Sequence, residues 1–110
     1  MQPQGHLQVL MNLLVFGMTP QEALDAPRIC IDTLGTDSVS KAGDVVFLEH
    51  GFTEETVEGL RKRGHNVKVL YDHQRQQFGR GQVIRRGEEE GQLVWAAGSD
   101  LRGDGHPFPL

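Results

Sequence analysis

Cysteine is almost missing from this sequence. Cys30 stands alone, which rules out an internal disulfide and a zinc site built on several thiolates. Long apolar runs are missing too. The greasiest stretch, Leu7 to Phe16, falls short of the ~20 apolar residues that a membrane-crossing helix needs. It also has neither the basic flank nor the small-residue cleavage site of a secretion signal. Positive charge is not in excess. The net charge is −4, and the basic residues Arg61, Lys62, Arg63, Arg85 and Arg86 form no continuous patch, which speaks against a nucleic-acid partner. The histidines His6, His50, His65, His73 and His106 show no H-x-x-x-H spacing, so Glu49 and His50 are not read as a metal pair. "GRGQ" from Gly79 is too short and wrongly placed for a phosphate loop. No cofactor is expected. No internal repeat or low-complexity segment is present.

What remains is an ordinary globular composition. The chain has 110 residues, with 37% hydrophobic and 24% charged, enough for one domain and far from disorder. A first helix is expected from about Gly5 to Phe16. Leu7, Val9, Leu10, Met11, Leu13, Leu14, Val15 and Phe16 cover most of its circumference, leaving a narrow polar stripe at Gln8 and Asn12. Such a helix expects neighbours on several sides. Gly17 stops it. In "MTPQEALDAPR" Thr19 is the expected N-cap, Pro20 the first helical residue and Glu22 the capping-box carboxylate. Pro27 keeps this second helix short by disfavouring helical geometry at Ala26.

Arg28 to Asp32 reads as a brief strand, Thr33 to Asp44 as a polar loop and Val45 to His50 as a second strand. A third helix starts at the N-cap Thr53, with Phe52 and Val57 placed as a hydrophobic staple. Acidic Glu54 and Glu55 open it and Arg61, Lys62 and Arg63 close it, matching the helix dipole, before Gly64 ends it. Asn66 to Tyr71 is the next strand, with Val67, Val69 and Tyr71 on one face. A loop from Asp72 to Arg80 leads to a hairpin with strands near Gln82–Arg86 and Leu93–Ala97, in which Trp95 is expected to pack in the core or on the sheet. The tail from Leu101 is irregular. The order α α β β α β β β implies an α+β fold.

"MQPQGHLQVLMNLLVFGMTPQEALDAPR" resembles the segment that follows the glycine-rich loop in the small subunit of γ-glutamyltranspeptidases, also called glutathione hydrolases. "FGRGQVIRR" and "WAAGSDLRGDG" are similar to the closing strands of that family and to its small-Asp-Pro-Arg pattern, with Leu101 where proline is common. The resemblance extends over nearly the whole chain. It accounts for "RGD" at Arg102–Asp104 without an adhesion role. It implies an N-terminal-nucleophile hydrolase with an αββα sandwich, of which residues 1–110 form a single partial domain, the C-terminal segment of the small subunit. The first helix would then lie inside the sandwich, covered by residues outside this chain.

The resemblance also implies a chemistry. Family members cleave γ-glutamyl amides of the glutathione type and pass the acyl group to water or an amine. A threonine hydroxyl attacks, with its own α-amine as base. Paired glycines hold the oxyanion, where losing one donor costs ~10²–10³ in rate. An arginine elsewhere holds the substrate carboxylate. These parts are not recognised here: Thr19, Thr33, Thr36, Thr53 and Thr56 read as caps or loop residues, so no catalytic residue is assigned. Gln4, Gly5 and His6 are the candidate floor of the substrate pocket. The expected partners are the large subunit, the remainder of the small subunit and, in the intact enzyme, a γ-glutamyl small molecule. The alternative is a non-catalytic family member that binds or dimerises through the exposed face of the first helix. Expressed alone, the chain is expected to form homo-oligomers.

Overall fold

Pro3 falls in a first helical turn, where its missing N–H leaves no bond unmade. In the computed structural model, which describes residues 1–32 and 44–108, helix α1 spans Gln2–Leu14. It begins before the expected Gly5, whose N–H already donates to Met1 O at 2.9 Å. It ends short of Phe16, and Gly17 turns the chain at φ +67°. Helix α2 spans Pro20–Asp25 with the expected capping box. The Thr19 hydroxyl accepts from Glu22 N–H, and the Glu22 carboxylate accepts from Thr19 N–H at 2.8 Å.

Strands β1 (Ile29–Asp32), β2 (Val45–Glu49) and β3 (Asn66–Leu70) form one sheet in the order β1-β2-β3. β2 runs antiparallel to β1 and parallel to β3, the parallel pair being joined through helix α3, Glu54–Lys62. Residues 33–43 of the expected Thr33–Asp44 loop lie outside the described residues. Val46, Leu48, Val57 and Val67 form a buried cluster, with Ile29, Phe52, Leu60 and Val69 against it. The staple pair Phe52 and Val57 thus both serve this core. Tyr71 stays half exposed and rests on the His50 ring at 5.0 Å.

The expected loop after β3 contains a 3₁₀ helix, Asp72–Phe78. "DHQRQQF" has no apolar period to announce it. The segment is held by the fully buried Phe78 and by Arg75, whose Nε donates to Glu49 Oε1. Strands β4 (Gln82–Glu89) and β5 (Gln92–Ser99) make a two-stranded antiparallel sheet, longer than expected at both turn ends. Glu90 and Gly91 both take positive φ, 50° and 75°, the tight two-residue turn that matches strand twist. Helix α2 lies against this hairpin and α1 lies against α2 and β1. Trp95 is not in the core. It is 63% exposed, beside Arg86 in the register, because α2 covers only part of one face of the ribbon.

The fold is α+β, as expected. No residue of α1 is buried, and Leu7, Leu14, Val15 and Phe16 are each more than 60% exposed. Among the described residues no helix is long and apolar enough to cross a membrane.

Candidate functional site

A cleft of about 670 Å³ opens between α1 and the start of β4. Its α1 wall carries Gly5, His6, Val9 and Leu10, and the opposite wall carries Phe78 to Ile84, with Leu24 and Arg28 at its base. Most of the lining is apolar. Polar character comes from Gln2, His6, Arg80 and Gln82 at the walls and from Arg28.

Arg28 belongs to a network of charges folded beneath this cleft. Its Nη2 donates to Asp100 Oδ2 at 2.7 Å and to Leu24 O at 3.1 Å, and its Nη1 to Phe78 O at 3.2 Å. Arg102 bridges the two carboxylates. Its Nη1 donates to Asp100 Oδ1 at 3.0 Å, its Nε to Glu49 Oε1 at 2.7 Å, and its Nη2 to Glu49 Oε2. Arg75 Nε reaches Glu49 Oε1 at 2.6 Å, and Arg28 N–H donates to Glu49 Oε2 at 2.9 Å. Arg28, Glu49, Asp100 and Arg102 are all buried. The charges of these four cancel, as burial demands.

The network ties both sheets to the connecting segments. Arg102 also donates to Leu24 O and Ala26 O at the end of α2, and Gly81 N–H donates to Asp100 Oδ2 at 2.8 Å. The backbone that lines the cleft from Phe78 to Gly81 is therefore held from below by Arg28 and Asp100. Gly81 packs closely here: a Cβ would lie 2.7 Å from Leu24 Cδ2, so the buried Leu24 side chain would have to shift to admit one. Arg28 Nε is buried with no acceptor among the described residues.

Burial pushes the Glu49 carboxyl up, but hydrogen bonds from Arg102, Arg75 and Arg28 N–H outweigh it and leave the group below its ordinary value. Asp100 behaves alike: burial raises it, and Arg102 N–H with the Arg102 and Arg28 side chains lowers it further. Burial lowers the Arg102 guanidinium and its two carboxylate partners raise it above its ordinary value. Carboxylates so engaged are poor proton acceptors, so this cluster serves architecture rather than acid–base chemistry.

Gly5 and His6 line the cleft, while Gln4 is turned the other way. Its amide donates to Ile31 O at 2.9 Å and accepts from Ile31 N–H at 2.8 Å. Thr19 and Thr53 cap helices, Thr56 shares a hydrogen bond with Thr53, and Thr33 and Thr36 lie outside the described residues. No group of His, Cys, Asp and Glu suited to a metal occurs among the described residues; Glu49 faces arginines instead. The "RGD" tripeptide has its arginine buried, which removes it as an adhesion signal.

The buried quartet was missed in the sequence because each member looks like an ordinary surface charge. The one available signal was the small-Asp-x-Arg pattern at Ser99–Arg102. Leu101, where the family pattern often has proline, points outward, 50% exposed, while its neighbours on both sides are buried.

The sequence model of the gamma-glutamyltranspeptidase family matches residues 1–110. The chain belongs to the gamma-glutamyltranspeptidase family. A glutathione hydrolase-like proenzyme, YwrD of Bacillus subtilis (strain 168), is 33% identical over 105 residues, covering 94% of this chain and 18% of YwrD. The crystal structure of a cephalosporin acylase from Bacillus halodurans superposes with a TM-score of 0.72 at 38% identity, over 94% of this chain and 17% of the acylase. A mutant gamma-glutamyltranspeptidase from Helicobacter pylori gives 0.71 at 20% identity, over 92% of this chain and 48% of that one, a likeness of fold. The chain therefore spans less than a fifth of the first two proteins and about half of the third. These neighbours are N-terminal-nucleophile hydrolases, and the α+β arrangement agrees with them.

Proposed function

We propose that residues 1–110 are the C-terminal segment of the small subunit of a γ-glutamyl hydrolase or transferase. The segment completes and braces the catalytic sandwich, while the attacking threonine and the oxyanion glycines belong to other parts of the protein. The observation that carries this reading is the state of α1. A helix with apolar residues on most of its faces and none of them buried needs covering by chain beyond these residues. Family membership and the greater length of the relatives support the same reading.

In this reading the cleft beside α1 adjoins the substrate pocket. Gly5 and His6 contribute to its floor, and Gln4 supports the helix from behind. The matched relatives carry the names of a glutathione hydrolase-like proenzyme and a cephalosporin acylase. The common requirement is an acyl group transferred from an amide, for which the family mechanism uses a threonine nucleophile with its own amine as base.

The test compares two proteins on a γ-glutamyl anilide. The longer polypeptide containing these residues is expected to release the aniline and to lose activity to a threonine-directed γ-glutamyl inhibitor. The 110-residue chain alone is expected to release none. Inhibitor-sensitive turnover by the short chain, or an inactive longer polypeptide, would overturn the proposal.

A further inference from the structure

An exposed sheet edge presents unpaired N–H and C=O groups that invite another strand. Strand β1 is an edge of the three-stranded sheet, since β2 pairs with only one of its sides. On its other side the N–H and C=O of Ile29 and Ile31 point away from β2, as alternation in an antiparallel ladder requires. A helix, α1, lies along that side. Beyond its end turns a helix backbone has no free groups to offer a strand, because its own are bonded internally.

Two side chains supply the missing partners. Gln8 Nε2 donates to Ile29 O at 2.8 Å, and Ile29 N–H donates to Gln8 Oε1 at 2.7 Å. Gln4 does the same at Ile31, with bonds of 2.9 and 2.8 Å. The spacing follows from geometry. Four residues of helix rise about 6 Å, and two residues of strand advance about 6.6 Å, so glutamines at i and i+4 meet strand residues at j+2 and j, helix and strand running in opposite directions. A primary amide carries the same donor and acceptor as a peptide unit, and glutamine is long enough to reach from a helix to a strand. Gln8 also donates to Gln4 O at 2.9 Å, which steadies the pair on its own helix. Asn12 extends the stripe by donating to Ala23 O at 3.3 Å.

We propose that Gln4 and Gln8 act as a surrogate strand, two side-chain amides that occupy the free edge of β1 and set the register of α1 against the sheet. Nothing in this inference depends on the enzymatic reading. Its consequence for the cleft is positional: Gly5 and His6 lie on the same turn of α1 as these amides, so the register that the glutamines impose fixes where that wall stands. Gln4 and Gln8 are positioning residues in this sense and touch no ligand.

Residue-resolved amide hydrogen exchange in the full chain tests the proposal. Each glutamine serves one amide, so the effects are expected to be separable. Gln4→Ala is expected to speed exchange at Ile31 about tenfold and to leave Ile29 unchanged, and Gln8→Ala to do the reverse, each loss being worth about one hydrogen bond. The Cys30 amide, on the β2 side of the strand, keeps its rate in both. If Gln8→Ala does not fold, Gln4→Ala alone decides, because its hydrogen bonds are closer to solvent than those of Gln8. Unchanged exchange at Ile31 would overturn the proposal. So would equal acceleration at Ile29, Cys30 and Ile31, which marks a general loosening of the fold.

Discussion

Arg102 and Glu49, 53 positions apart in the chain, meet with the guanidinium edge facing both carboxylate oxygens. The contact links the end of the hairpin to the end of β2, and neither side chain has solvent to fall back on, their exposures being 1% and 0%. Removing Arg102 takes two hydrogen bonds from the buried Glu49 and leaves it only the partly exposed Arg75 and Arg28 N–H as partners. Arg102→Leu is therefore expected to destabilise the protein by about 3–5 kcal/mol, read as a fall in the urea midpoint. Arg102→Lys is expected to recover little of this, because an ammonium cannot make the parallel pair of bonds. A lysine variant as stable as the wild type would show that charge alone suffices here.

The depressed carboxyls set an acid limit. Glu49 and Asp100 have ordinary values of 4.5 and 3.8, and both lie lower in the folded protein. A group with a lowered folded value stabilises the fold fully above its unfolded value, and loses that contribution as pH falls through the folded one. Thermal stability is thus expected to be level, as far as these two groups decide it, from neutral pH to about 5. Below that it declines as the unfolded chain takes up protons that the folded chain refuses. Glu49→Gln, which cannot take up that proton, is expected to be less stable at neutral pH and to show a shallower decline in acid. Melting curves of both proteins across this range provide the check. A slope unchanged by Glu49→Gln would remove Glu49 from the account.

Local signals in the sequence were strong where chemistry is local. Thr19 with Glu22, Thr53, Gly17 and Gly64 mark helix ends by rules that act within one turn, and each element they bound is present. Strand order in sequence was equally legible. Three things were not. The 3₁₀ helix ending at Phe78 depends on distant contacts, the burial of one aromatic ring and the pair of Arg75 with Glu49, and nothing in "DHQRQQF" announces it. Trp95 was expected to pack in the core or on the sheet, yet a two-stranded ribbon leaves it 63% exposed. Arg28, Glu49, Asp100 and Arg102 lie far apart in sequence and share no period, so only the fold reveals them as one cluster. Of the three residues expected at a pocket floor, Gly5 and His6 lie along the cleft and Gln4 is bonded to β1 behind it.

Gly98 is where β5 meets the first turn of α2. A Cβ there would stand 2.7 Å from Pro20 C and 2.8 Å from Gln21 N, and backbone atoms cannot step aside as a flexible side-chain tip can. Its φ is not positive, so the requirement is for space and not for an unusual conformation. Gly98→Ala is expected to cost about 1–3 kcal/mol through overpacking. Gly87→Ala, on the same hairpin with nothing within 4 Å, is expected to be close to neutral or slightly favourable. Unfolding midpoints of the two variants should differ plainly, and equal midpoints would mean that α2 shifts freely on the hairpin.

The exposed side of α1 makes a last prediction about the chain in isolation. Leu7, Leu10, Leu14, Val15 and Phe16 all stand largely in solvent, and apolar surface gains about 25 cal/mol for each Å² removed from water. Residues 1–110 expressed alone are expected to self-associate, with an average mass in sedimentation experiments that rises with concentration. Leu10→Gln with Leu14→Gln is expected to return the chain toward monomer. Neither residue is buried, so the double variant should keep its melting temperature while losing the association. A wild-type chain that stays monomeric at every concentration would mean that water is an adequate neighbour for this helix. That result would also remove the main support for its being covered by further polypeptide.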